Sequence, residues 1–327
     1  MGHLKQLSAN EQTWLLFSIV FGLLMIGSFF SWYRHVRVLA TSRQSESLHR
    51  YDQVLGLLWS GVGLFWLAWV VGPIGAVLLC AALSIFSLRE FVTLSPTRRS
   101  DHRGLVLAFF VVLPLQYLMV GGQRFNLFTV FIPVYVFFAL PVIAALAGDP
   151  ERFLQRNASI QWGIMVCVYG LSHVPALMAL DFPGFEERGA FLVFFLVSVV
   201  QVALLVQRWV ARRYAFKPVA ERISRSFSWR AALNGAGFAA ILGLFMYWMT
   251  PFKPGQALVM AFLASFSGLL GHFVMKALKR DAGVRCWSGK VTVTGAVGLL
   301  DQISALCFAA PVFFHSVRWY FKLNPSL

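Results

Sequence analysis

Apolar residues run along this chain in long uninterrupted blocks, separated by short polar segments, rather than in the spaced stripes of a soluble helix. Such blocks predict helices at residues 13–33, 53–72, 74–88, 104–122, 127–147, 159–180, 190–207, 231–249, 256–275 and 291–314. A run of about 20 apolar residues crosses a bilayer as a helix, because backbone groups in lipid must bond within their own segment. The pattern therefore predicts an all-α integral membrane protein with about ten transmembrane helices. The second and third runs are parted only by Gly72-Pro73. The first run, Trp14 to Trp32, is too long for the apolar part of a signal peptide. It is followed by Tyr33-Arg34-His35-Val36-Arg37, so it reads as an uncleaved helix with a stop-transfer flank. Pro114, Pro133, Pro141, Pro175 and Pro311 fall inside predicted spans, where each removes a backbone donor and is expected to kink its helix.

Composition strengthens this picture. Of 327 residues, 58% are hydrophobic and only 13% charged, against about 25% charged in a soluble domain. The mean hydropathy is +0.70. The net charge of +15 would suggest a nucleic-acid partner in a soluble protein. Here 22 of the 28 lysines and arginines lie in five alternate segments, 34–52, 89–103, 148–158, 208–230 and 276–290. That is a positive-inside bias, so nucleic acid is excluded as a partner and both termini are expected outside the cytoplasm. The chain divides into residues 1–52, a first helix with a basic loop, and 53–327, a single membrane domain. Cys80, Cys167, Cys286 and Cys307 form no CxxC pair and read as packing residues.

Chemistry is sparse. Of 13 acidic residues only Asp301 falls well inside a predicted span, and an ionisable group in lipid ordinarily faces a cavity. Its competing reading is a structural pairing with a cation or a helix end. Lys276, Lys279 and Arg280 recur at helical spacing and form either a phosphate grip or an anchor to lipid headgroups. Residues 208–230 carry seven basic side chains among Trp209, Val210, Tyr214 and Phe216. They read equally as an amphipathic interfacial helix or a solvated loop. His173 and His272 lack a second ligand at i+3 or i+4 and read as packing residues. There is no P-loop, G-x-S-x-G or HExxH.

The segments Lys279-Arg280-Asp281-Ala282-Gly283-Val284-Arg285, Gly298-Leu299-Leu300-Asp301-Gln302-Ile303-Ser304 and Cys307-Phe308-Ala309-Ala310-Pro311-Val312-Phe313-Phe314-His315 follow one another in a recognisable order. Together they resemble the C-terminal region of phosphatidate cytidylyltransferases. Leu88-Arg89-Glu90-Phe91, Thr97-Arg98-Arg99 and the run from Gln155 to Gly163 are similar to the bacterial branch of that family. The resemblance covers most of residues 55–320. It implies a CDP-diacylglycerol-synthase-like helix bundle in the bacterial inner membrane. The implied reaction joins CTP to phosphatidate, with Mg²⁺ held by carboxylates and the phosphates held by lysine and arginine.

The departures fall on the polar positions. The family's Ser-Asp pair is matched by Ala203-Leu204, and its S-P-x-K-T-x-E-G stretch by Ser224 to Ala231. Its Gly-Asp becomes Gly271-His272, a Lys-Asp becomes Arg285-Cys286, and P-G-H-G-G becomes Thr294 to Gly298. The family's D-R-x-D becomes Asp301-Gln302-Ile303-Ser304. Lys279, Arg280 and Asp301 remain at matching positions. Losing several stabilisers of transition-state charge, at about 3 kcal/mol each, slows a reaction by many orders of magnitude. The expectation is a catalytically degenerate member that binds membrane phospholipid, or a membrane protein partner such as an active paralogue. In that reading Lys279, Arg280 and Arg285 hold an anionic headgroup near Asp301, and no cofactor is needed. The alternative is an active enzyme acting on CTP and phosphatidate, with Asp301 binding Mg²⁺. A transporter on the same scaffold ranks last, since it calls for paired intramembrane charges and a polar path.

Overall fold

A computed structural model describes residues 9–39, 55, 59, 62, 63, 66, 70–180, 182, 188–214, 216–284 and 298–323. The described residues form helices and turns, with one isolated antiparallel bridge between Ala220 and Ser224. Among the described residues eight helices are long and apolar enough to cross a membrane. They are α1 (Ala9–Leu39), α2 (Pro73–Thr93), α3 (Arg99–Gly121), α4 (Phe125–Ala145), α5 (Phe153–Met178), α6 (Gly189–Tyr214), α8 (Pro254–Asp281) and α9 (Leu299–Tyr320). A shorter apolar helix, α7 (Trp229–Phe245), precedes α8. The protein is thus an all-α polytopic membrane protein. Most of the predicted span 53–72 lies outside the described residues.

The chain separates into two compact units, Met1–Ala76 and Val77–Leu327. In the first, the serines of α1 turn back onto the helix: Ser18 and Ser28 donate to the carbonyls of Trp14 and Leu24. Trp59 donates through Nε1 to Ser28 Oγ at 3.0 Å, and Trp66 meets Phe17 edge-on. Trp14, Leu23, Ile26 and Phe29 remain exposed, as a lipid-facing surface requires.

In the second unit the core is aromatic and dense. Phe128, Phe191, Phe195, Phe252, Phe313 and Phe314 are almost fully buried, whereas Phe110, Leu118, Phe138 and Leu154 face outward. Helices α6, α7, α8 and α9 pack most closely. Small residues set this approach: a Cβ added at Gly235 on α7 would come within 2.6 Å of the Ala203 carbonyl on α6.

Two of the prolines widen their helices. Pro114 lies just after a π-helical segment, Ala108–Val112, and Pro133 lies within another, Phe131–Val136. Proline at 133 has no N–H for the carbonyl of Thr129, and Tyr169 supplies the missing donor through its hydroxyl at 3.3 Å. Tyr169 itself stands in a third such segment, Met165–Gly170.

Candidate functional site: a cationic pocket at the start of α9

Helix α9 begins at Gly298, whose left-handed backbone (φ 77°) suits glycine and offers no capping side chain. The cap comes from a distant residue. Glu90, one turn before the end of α2 and almost fully buried, accepts the N–H groups of Gly298, Leu299 and Leu300 at 2.8, 3.0 and 3.0 Å. A carboxylate there satisfies three of the four unpaired donors of the first turn and meets the positive helix pole. Sequence reasoning missed this role, although Glu90 stands in one of the segments that carry the family resemblance.

The same first turn carries Asp301. It was expected within a span, but the described helix begins at Leu299, so Asp301 lies at a helix end with its side chain 27% exposed. It forms an ion pair with Lys279 on α8. Lys276 lies one turn back along α8, and Arg208 reaches in from α6. The charges of Arg208, Lys279 and Asp301 all bear on Lys276. Lys276 also donates weakly to Ser226 Oγ at 3.5 Å, and Gln207 donates to the Ser226 carbonyl at 2.9 Å. The segment between α6 and α7 thereby closes one wall. It is not a continuous helix: α6 ends at Tyr214 and the chain returns through the Ala220–Ser224 bridge.

Lys279 and Asp301 are therefore brought together, while Arg280 is exposed at the end of α8 and is not among their ion-pair partners. Arg285 lies outside the described residues. His272 donates to or accepts from Ser304 Oγ through Nδ1 at 3.0 Å, both side chains being buried. His173 is enclosed by Phe128, Tyr169, Phe314 and His315. Cys80, Cys167 and Cys307 are buried free thiols.

Residues 53–320 match the family described as the cytidylyltransferase family. The chain belongs to that family. It is 34% identical over 263 residues to the Escherichia coli protein named uncharacterized protein YnbB, covering 80% of this chain and 85% of that protein. It is 25% identical over 258 residues to the phosphatidate cytidylyltransferase of Brucella abortus, covering 78% and 88%. It is 38% identical over 93 residues to the CDP-archaeol synthase of Thermococcus gammatolerans, covering 26% and 50%.

His272 and Ser304, the two positions that the resemblance matches to family acids, face each other across α8 and α9 as a hydrogen-bonded pair. Ala203 and Leu204, which the resemblance matches to the family's Ser-Asp, are both buried, Ala203 at the contact of α6 with α7. Among the described residues the acids at this site are already engaged. Asp301 is paired with a lysine amid further cations, and the Glu90 oxygens accept three backbone donors. Among the described residues no three histidine, cysteine or acidic side chains gather as metal ligands.

A second polar cluster clamps the ends of α3 and α5. Arg156 is 3% exposed and pairs with Asp101 through Nε at 3.3 Å and with Asp149 through Nη1 at 2.6 Å. Arg156 also donates to the Asp149 carbonyl at 2.9 Å, and Ser100 donates to Asp149 Oδ2 at 2.8 Å. Hydrogen bonds from Arg156 and then Ser100 hold the Asp149 carboxyl down at about 2, from an ordinary 3.8. A depressed folded-state value gives stability that is complete above the unfolded value. It disappears as pH falls from about 3.8 through about 2. Melting curves of wild type and Asp149→Asn in detergent are expected to converge across that window. Parallel acid limbs would remove this role from Asp149.

Proposed function

We propose that this cytidylyltransferase-family protein is a catalytically degenerate member whose pocket at Arg208, Lys276 and Lys279 holds the phosphate of an anionic phospholipid. One observation carries the reading: part-buried Lys276 feels the charges of Arg208 and Lys279, while Asp301, the acid that acts on it among the described residues, is already paired with Lys279. Such a site has surplus positive charge and takes an anion, with arginine offering a planar fork and lysine a point charge. Placing the basic segments inward puts this pocket at the cytoplasmic face of a bacterial inner membrane, with both termini on the other side. A membrane protein partner, such as an active paralogue, fits a lipid-holding role.

The second reading, an active enzyme making CDP-diacylglycerol from CTP and phosphatidate with Mg²⁺, is favoured by the 25% identity to a phosphatidate cytidylyltransferase. One experiment separates the two. Purified protein receives labelled CTP, phosphatidate and Mg²⁺, while binding of short-chain phosphatidate is followed by calorimetry. The expected result is binding without turnover. Lys276→Gln and Arg208→Gln are each expected to weaken binding about tenfold, the loss of about 1.4 kcal/mol from one charge-assisted contact. Turnover that Asp301→Asn abolishes would replace this reading with the second.

A further inference from the structure

The outward face of α7 carries a groove that shares no lining residue with the pocket at Lys276. The inward face of α7 is a strip of small residues, Ala231, Ala232, Gly235, Ala236, Ala239 and Ala240, packed into the bundle. The outward face carries a groove of 460 Å³ walled by Phe216, Leu233, Phe238 and Ile241, with Arg230 and Asn234 also lining it. Gly237 forms part of this lining, and nothing stands within 4 Å of where its Cβ would be.

The basic end of the groove is held in place. The Arg230 guanidinium lies over the Phe216 ring at 5.6 Å, and Phe216 stacks on Tyr214 at 5.7 Å. Among the described residues Arg230 has no carboxylate partner: Glu221, the nearest acid in sequence, pairs with Arg225 instead. No acidic residue occupies the first turn of α7, so the positive helix pole adds to the Arg230 charge.

Length supplies an independent argument. Seventeen residues rise only about 26 Å at about 1.5 Å each, short of the roughly 30 Å hydrocarbon core. A short span draws headgroups toward it or thins the bilayer locally. Arg230, at the first turn, then meets the phosphate level with its charge unneutralised.

We infer that this groove is a specific site for one anionic glycerophospholipid, its phosphate on Arg230 and one acyl chain along Leu233, Gly237, Phe238 and Ile241. The charge selects an anionic lipid over a zwitterionic one. The apolar walls and the open notch at Gly237 accept a chain rather than a soluble anion. This site does not depend on the pocket at Lys276.

Native mass spectrometry of the detergent-purified protein tests it, with phosphatidylglycerol and phosphatidylcholine titrated separately. Wild type is expected to retain phosphatidylglycerol preferentially. Arg230→Gln is expected to lose one retained phosphatidylglycerol and to reduce the preference at least threefold. Gly237→Leu, which adds a better helix former into open space, is expected to reduce retention of both lipids while leaving the melting midpoint unchanged or higher. Lys276→Gln is expected to leave the Arg230-dependent adduct in place. Unchanged preference in Arg230→Gln, or loss of that adduct in Lys276→Gln alone, would overturn the groove site while leaving the pocket reading intact.

Discussion

Glu90→Ala is expected to be among the most destabilising single substitutions in this protein. It removes the acceptor of three backbone N–H groups at the start of α9 and leaves them without it, two of them in buried bonds. Hydrogen bonds to a charged group contribute about 1.5–3 kcal/mol each, and orphaned donors add their own desolvation cost. Even with partial relaxation the loss is about 3 kcal/mol or more, a fall of several degrees in melting midpoint. The buried thiols of Cys80, Cys167 and Cys307 provide the readout, since a thiol-reactive dye reports them only on unfolding. Glu90→Gln keeps one amide oxygen in the same place and is expected to lie between Ala and wild type. A Glu90→Ala midpoint within about 1 °C of wild type would show that Glu90 does not anchor α9.

The second large effect is expected at Arg156. Arg156→Leu keeps much of the apolar stem but leaves Asp101, itself 3% exposed, without its buried cation. Removing one member of a buried ion pair costs about 3–5 kcal/mol, chiefly through the stranded charge. Asp101→Asn placed on top of Arg156→Leu is then expected to restore part of the loss, because no charge is left stranded. The double-mutant cycle, read as melting midpoints or denaturant unfolding, measures this coupling. Strict additivity of the two substitutions would mean that Arg156 acts through packing alone. Arg98 is a contrasting control. Its 2.6 Å contact with Glu151 is exposed, so Arg98→Gln is expected to change stability little.

The spans were legible in the sequence because a bilayer turns each apolar block into a helix almost without regard to its neighbours. Asp301 was legible as an unusual acid, and its alternative reading, a pairing with a cation at a helix end, is the arrangement found, although its place well inside a span is not. An unbroken apolar run does not mark where a helix starts, and Asp301 proves to be in the first turn. Glu90 was hidden for a different reason. Its partners lie more than 200 positions away, and an acid near the end of an apolar run looks like an ordinary flank. Asp101 and Arg156 were hidden by the charge tally itself. Counting cations per loop predicts sidedness but ignores which of them turn inward to meet a carboxylate. The prolines signalled disturbed helices, but the choice between a kink and a widened turn depends on a donor such as Tyr169 from another helix. The meeting of His272 and Ser304 was not foreseen, since neither residue type marks a site and the two lie on different helices.

The close approach of Gly235 to the Ala203 carbonyl limits what the neighbouring positions of α6 can carry. Leu204, next along α6, is buried, so an acid introduced there would put a charge among apolar side chains. Such a chain is expected to fold poorly before any new chemistry could be read from it, so the tight packing of these helices makes this part of the bundle resistant to the gain of charged groups.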